Sequence, residues 1–243
     1  MTLYESFEKS GNLLFRFRSY IPVFFAVTSI PVVLTTPLPV FPEVWTTLSV
    51  IVVSVGFVVR AYTIGTTPRG TSGRNTRQQV AETLNTSGIY SIVRHPLYLG
   101  NYLMWAGLAL FTFNLWYFII ISLVFWLYYE RIMYAEEMFL LRRFGNEFTD
   151  WAARVPAFIP QIGEFKSSSL PFSFKSVLRR EYSGLLAVVS IYCILDYFRA
   201  WIFEGNLLQM RFSLYAMIMA LFVAGLLRTL KHHTHLLEEE GRS

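Results

Sequence analysis

The chain is poor in charge and nearly without cysteine. Only 15% of its residues are Asp, Glu, Lys or Arg, against about 25% in an average soluble domain. With 54% hydrophobic residues and a mean hydropathy of +0.43, this excludes an ordinary soluble enzyme and leaves little mass for a separate soluble domain. The single cysteine, Cys193, lies inside an apolar run, so neither an intrachain disulfide nor a cysteine metal site is expected. The first twenty residues carry acids early and lack a small-residue cleavage site, which argues against a cleaved signal peptide. Internal repeats and paired interrupted helices, the marks of a transporter, are also missing. The net charge of +5 does not indicate a nucleic-acid partner, because the basic residues gather beside the apolar runs, where they orient a membrane protein and meet anionic lipid.

Six apolar runs stand out: Tyr20–Val40, Val44–Ile64, Leu97–Phe113, Leu115–Tyr134, Ser183–Phe203 and Phe212–Leu230. A helix needs about 20 apolar residues to cross the hydrocarbon, so the expectation is an all-α, polytopic transmembrane protein of about six spans. Four prolines break the first run, and the third is barely long enough. Only Asn114 separates the third from the fourth, which predicts an antiparallel hairpin. Basic residues crowd the N-terminus, the 65–96 loop (Arg69, Arg74, Arg77, Arg94), the 135–182 loop and the C-terminus, whereas the opposite connections hold only Arg211. The positive-inside rule therefore puts both termini and both long loops in the cytoplasm. The expected organisation is N-terminal membrane helices over 1–64, a core over 65–160, a linker over 161–182 containing KSSSLPFSFKS, and a two-span extension over 183–243.

Polar groups concentrate at one lip of the hairpin. The stretch GIYSIVRHPLYLGNYL runs from Arg94 and His95 into a helix begun by Pro96, a residue favoured at the first helical position. Tyr98, Gly100, Asn101 and Tyr102 follow on its first turns. Gly100 allows a ligand or another helix to approach the backbone, and Asn101 requires a partner at membrane depth. On the other arm, Glu136 and Glu137 close the fourth run. Leu140, Leu141, Phe144, Phe148 and Trp151 then recur at helical spacing, predicting an amphipathic helix along the membrane surface. Counting back to Asn114 at 1.5 Å per residue puts Tyr98 about 24 Å and Glu136 about 33 Å from the turn. Straight helices would thus leave the glutamates roughly 9 Å nearer the water, a gap that tilt or bending would close. Carboxylates there accept from hydroxyl or amino donors.

These residues, GIYSIVRHPLYLGNYL followed by AEEMFLLRRFGNEFTDWAARVPAFIP, resemble the isoprenylcysteine carboxyl methyltransferase and phospholipid methyltransferase superfamily of integral membrane enzymes. The pattern covers Gly88 to Pro160, and Phe148 stands where many members carry tyrosine. The resemblance implies S-adenosylmethionine as cofactor, with S-adenosylhomocysteine as product. His95, Tyr98 and the backbone near Gly100 and Asn101 would hold its amino-acid and sulfonium portion. Glu136 and Glu137 would reach its ribose, adenine or amino group. Arg94 and the helix start offer a site for its carboxylate, and the faces of Tyr98 and Tyr102 attract a soft cation. Should the acceptor be an amine or hydroxyl, His95 or Glu137 is the candidate proton acceptor. The implied partners are membrane lipids and a lipid-like or isoprenoid-like amphiphilic substrate, with a homo-oligomer allowed. The implied place is a bacterial inner membrane.

Two other classes compete. A sterol-type membrane reductase using NADPH shares a related segment, although the glutamate pair followed by FGNEF favours the methyl donor. A transporter or scaffold is the non-enzymatic alternative. Three further features have plainer expectations. Arg60 would snorkel from the second run, Asp196 and Arg199 would pair on one helix face, and KHHTH at 231–235 would be a solvated tail. The NTS at 85–87 is a chance glycosylation match on the cytoplasmic side.

Overall fold

The computed structural model describes residues 2–68, 79, 81–205 and 209–242. Arg69, Arg74 and Arg77 of the first long loop lie outside these residues. Among the described residues the fold is wholly helical: α1 (Leu3–Phe17), α2 (Ile21–Thr35), α3 (Pro42–Thr66), α4 (Pro96–Leu110), α5 (Leu115–Phe144), α6 (Asn146–Ala152), α7 (Phe174–Phe203) and α8 (Phe212–His233).

Four of these helices, α3, α5, α7 and α8, are long and apolar enough to cross a membrane, and α1 with α2, bent by 74°, would make a fifth. The six expected runs all become helices. At 15 residues each, however, α2 and α4 fall short of the roughly 20 that a span requires.

Local chemistry sets the helix ends. Thr2 and Glu5 form a reciprocal capping box at the start of α1. Asn114 accepts from the Tyr117 amide at 3.0 Å and starts α5. The turn before it occupies Phe111 to Asn114, with Phe113 at φ 62°, so the hairpin link is longer than the single residue the sequence suggested. Helix α5 runs unbroken for 30 residues and stops at Gly145, whose φ of 53° suits glycine. The expected amphipathic surface helix is therefore divided: its first half continues the membrane helix, and only the seven-residue α6 lies beyond. Leu140, Phe144, Phe148 and Trp151 share one buried cluster with Val155, while Leu141 faces outward.

Small residues set the spacing of α3 and α4. A Cβ on Gly56 would stand 2.7 Å from the Gly100 carbonyl oxygen, and one on Gly107 would stand 2.5 Å from Val53 Cγ2. Ser49 donates to the Gly107 carbonyl at 2.6 Å in the same seam. Helix α1 folds back along α5: Tyr128 donates to the Leu14 carbonyl, Glu8 pairs with Arg142 at 2.6 Å, and Gly11 lies against the Arg131 backbone. Aromatic rings fill the centre, with Phe125 stacked on Tyr129 at 4.1 Å and Trp105 edge-on to Phe25 at 4.4 Å. Helix α7 packs against α2 and α3. The segment leading to it is tied to the core by Gly88 N–H to Lys166 O (2.9 Å), Ser173 N–H to Gly65 O (2.8 Å) and Ser168 Oγ to Thr66 O (3.1 Å).

At the far end of the bundle Asp196 does not pair with Arg199. It accepts from Arg211 at 2.9 and 3.0 Å and from Ser213 at 2.6 Å, because the chain returns there to begin α8. Arg199 instead donates to the Phe111 carbonyl at 2.6 Å and lies over the rings of Phe111 and Phe113. In the tail, His235 meets Glu238 at 2.7 Å.

Candidate active site

The start of α4 and the end of α5 meet directly. Tyr98 donates to Glu136 Oε1 at 2.7 Å, and His95 Nε2 lies 2.9 Å from Glu137 Oε1. The gap expected from residue counting is closed by side-chain direction. Helical side chains lean toward their own N-terminus. In α4 that tilt carries Tyr98 toward the site, and in antiparallel α5 it carries Glu136 back toward the hairpin turn. The two lean toward each other.

His95 is buried, at 7% exposure, and its two ring nitrogens each face a carboxylate: Nε2 faces Glu137, and Nδ1 lies 3.6 Å from Glu136 Oε2. Only the doubly protonated ring can donate from both nitrogens. Burial opposes the charged form, but hydrogen bonds and charge from Glu136 and Glu137 outweigh it, and the His95 pKa is raised above its ordinary value. Burial first, and then the charge of Glu136, likewise pushes the Tyr90 phenol upward. Arg94 Nε lies 3.3 Å from Glu137 Oε1 yet is buried without a hydrogen bond, and Arg94 NH1 reaches the Ala152 carbonyl at only 3.4 Å.

The irregular segment after α6 holds this lip in place. Arg94 N–H donates to Pro156 O (2.9 Å), His95 N–H to Ala157 O (3.1 Å) and Gln161 N–H to Ile92 O (2.9 Å). Trp151 Nε1 donates to Tyr90 O at 3.0 Å. The Pro156-Ala157 backbone, near the end of the AEEMFLLRRFGNEFTDWAARVPAFIP stretch, thus fixes the backbone from which Arg94 and His95 project.

A cavity of about 360 Å³ opens over the cluster, within the range of small-molecule sites, about 300–1,000 Å³. Arg94, His95, Tyr98, Asn101, Glu136 and Glu137 all line it. Gly100 and Tyr102 do not. Gly100 faces α3, where a Cβ would stand 2.5 Å from Arg60 Cγ, so its smallness serves helix packing. The Tyr102 ring packs on Phe125 and Phe158, and its hydroxyl donates to Ser122 at 3.2 Å.

The sequence reading missed one component. Arg60 does not snorkel: Nε and NH2 donate to the two Glu181 oxygens at 2.7 Å each, and NH1 donates to Asn101 Oδ1. This bidentate pair lines the same cavity as the His95 cluster. An arginine inside an apolar run is a functional signal in itself, but Glu181 belongs to α7, far beyond the motif, and nothing in its neighbourhood announces the contact. Phe15, Arg18, Tyr90, Trp105 and Tyr129 are further wall residues not singled out from the sequence.

Residues 43–147 match the family described as phospholipid methyltransferase. The nickel-cobalt-cadmium resistance protein NccN of Alcaligenes xylosoxydans xylosoxydans is 39% identical over 98 residues, 40% of this chain and 43% of that protein. The protein-S-isoprenylcysteine O-methyltransferase of Schizosaccharomyces pombe is 34% identical over 79 residues, 32% of this chain and 34% of that protein. A probable protein-S-isoprenylcysteine O-methyltransferase of Oryza sativa subsp. indica is 30% identical over 128 residues, 51% of this chain and 66% of that protein. No solved structure matches. The chain thus spans less than half the length of two of these three relatives and about two thirds of the third. Over residues 43–147, from the start of α3 to the first turn of α6, the chain is thus similar to the phospholipid methyltransferase family.

Proposed function

We propose that the protein is an S-adenosylmethionine-dependent methyltransferase of the membrane, acting on a lipid-like or isoprenoid-like amphiphile and releasing S-adenosylhomocysteine. The observation that carries this reading is the Arg94–His95–Tyr98 edge of α4 facing Glu136 and Glu137 across one cavity.

The residues present fit the cofactor. Its carboxylate calls for a cation, and Arg94 Nε is buried beside the cavity without a hydrogen bond. Its ammonium and ribose hydroxyls are donors, and Glu136 and Glu137 are acceptors. Its sulfonium favours aromatic faces, which Tyr98 supplies at the floor, stacked on His95 at 5.7 Å. When bound, the cofactor supplies a methyl group on a positively charged sulfur.

The chain's own part is positioning and exclusion of water. His95, held between two carboxylates, keeps both glutamates oriented and spaced. Tyr98 fixes Glu136. Arg60, Asn101 and Glu181 form the wall on the substrate side. A carboxylate nucleophile needs no base here. For an amine or hydroxyl acceptor, Glu137 takes the proton, since both ring nitrogens of His95 already face carboxylates.

The polar lip and the loop charges support the reading that this end of the bundle faces the cytoplasm, in a bacterial inner membrane. The metal-resistance name of one relative is not carried over: among the described residues no group of three or more His, Cys, Asp or Glu side chains is arranged to hold a metal ion.

The test is transfer of labelled methyl from S-adenosylmethionine to a lipid extract by purified protein in nanodiscs. Labelled lipid, gained as a 14-unit mass increase, is the expected result. Label that stays with the cofactor across extracts from several sources would contradict the assignment.

A further inference from the structure

Below the neck formed by Pro22, Arg60, Asn101 and Trp105 lies a second cavity of about 200 Å³, and all four residues line both spaces. We propose that this lower chamber binds the apolar chain of the methyl acceptor and gauges its length; the proposal rests on the methyl-transfer reading above.

Three independent spans give its depth. Along α4 it runs from Asn101 to Ala109, along α2 from Pro22 to Ser29, and along α7 from Gly184 to Ile191. At 1.5 Å per residue these are about 12, 10 and 10 Å. The chamber is thus a slot of about 10–12 Å lying along the helix axes, with the neck at its upper end.

Its walls accept only an uncharged guest. Away from the neck, the polar atoms are already consumed: Ser29 donates to the Ala26 carbonyl at 2.7 Å, and Tyr117 donates to the Phe25 carbonyl at 2.9 Å. That Tyr117 bond, with Thr28 at 2.9 Å, ties α5 to α2 across the distal end and closes the slot there. A charged or hydrogen-bonding group would find partners only at the neck, beside Arg60 and Asn101. An amphiphile therefore enters with its head at the neck, facing the cofactor cavity, and its chain below.

The side wall shows how it enters. On α7 the chamber is bounded by Gly184, Ala187 and Ile191 and on α2 by Ala26, and Ala187 is exposed. The small side chains of this α2–α7 seam are accordingly assigned as the lateral entrance from the lipid. Both α2 and α7 lie outside residues 43–147. The cofactor edge is thus built from the family segment, whereas the side wall of the chamber comes from helices outside it.

Gly184 offers a clean way to fill the slot. A Cβ there meets nothing closer than 3.9 Å, unlike Gly56, Gly100 and Gly107, so Gly184→Leu occupies the chamber without forcing helices apart. Ala187→Trp does the same from the exposed seam. The experiment is native mass spectrometry of nanodisc-purified protein with N-acetyl-S-geranyl-cysteine, N-acetyl-S-farnesyl-cysteine and decanoyl lysophosphatidylcholine, with S-adenosylmethionine affinity measured in parallel.

Wild-type protein is expected to retain the geranyl probe at least as tightly as the farnesyl probe. Both variants are expected to lose it tenfold or more, with cofactor affinity unchanged within about twofold, and Tyr117→Ala is expected to shift preference toward farnesyl. Retention of the lysophospholipid in place of the geranyl probe, lost in the same variants, supports the chamber and identifies an acyl chain as its guest. Wild-type binding of none of the three probes, or equal binding by both variants, overturns the proposal. Chain binding that Gly184→Leu abolishes, in a protein that binds no S-adenosylmethionine, leaves the chamber standing and removes the methyltransferase reading instead.

Discussion

Two polar clusters sit at opposite ends of the helix bundle, and they are built differently. At one end Asp196, Arg211, Ser213 and Glu204 satisfy one another, with Arg211 spanning both acids at 2.8–3.0 Å. Arg199 is spent on a backbone carbonyl and two rings. Nothing is left over, and the effect is to fasten α8 and the hairpin turn to α7. At the other end Arg94, His95, Tyr98, Glu136 and Glu137 also touch, but they border a cavity of about 360 Å³, and Arg94 Nε is left without a hydrogen bond. Charge at membrane depth is costly in both places. What separates a clamp from a candidate site is spare bonding capacity facing open space.

The contrast sets the predictions. The largest effect falls on cofactor affinity. Glu137→Ala removes a charge-assisted acceptor, a loss of about 1.5–3 kcal/mol or roughly ten- to hundredfold in affinity, read by titration calorimetry with S-adenosylmethionine. Arg211→Ala should leave that affinity unchanged. It should instead lower stability by about 1–2 kcal/mol, between the values for exposed and buried ion pairs, seen as an earlier thermal transition. Should Arg211→Ala weaken cofactor binding as much as Glu137→Ala does, the distinction between the two ends collapses.

A pH series sharpens it further. The folded-state pKa of His95 is raised, so its tie to the two glutamates is fully present below the ordinary histidine value of about 6.5 and is lost as pH rises through the higher folded value. The melting temperature of wild-type protein is expected to fall as pH rises from about 6.5 through that higher value, with the slope absent in His95→Gln. The smallest effect belongs to Tyr98→Phe, which removes one hydrogen bond to Glu136 while keeping the ring. A few-fold weakening of cofactor binding is expected, about 1 kcal/mol.

Much of this was legible before any coordinates. Hydropathy located the six apolar helices, and the hairpin followed from the shortness of its link. The RHP lip and the glutamate pair were read as neighbours because both hairpin arms return to the same side. What escaped depends on contacts between distant elements. Glu181 reaches Arg60 from a helix 121 residues away, and no local pattern encodes that pair. Gly100 looked like room for a ligand, but only the approach of α3 reveals that Arg60 fills the space. Asp196 and Arg199 have the spacing of a helical pair, yet Arg211 outcompetes Arg199 because the turn into α8 brings it alongside. The unbroken length of α5 was hidden because its amphipathic end resembles a surface helix, whereas Gly145 alone marks the break.

The central claim is that the start of α4 and the end of α5 enclose one S-adenosylmethionine. The most direct test is equilibrium binding of the labelled cofactor to nanodisc-embedded wild-type protein and to a Glu136→Gln/Glu137→Gln variant, with NADPH as competitor. Saturable binding by the wild type, lost in the double variant and indifferent to NADPH, is the expected result. Equal binding by both proteins, or displacement by NADPH, would contradict the account.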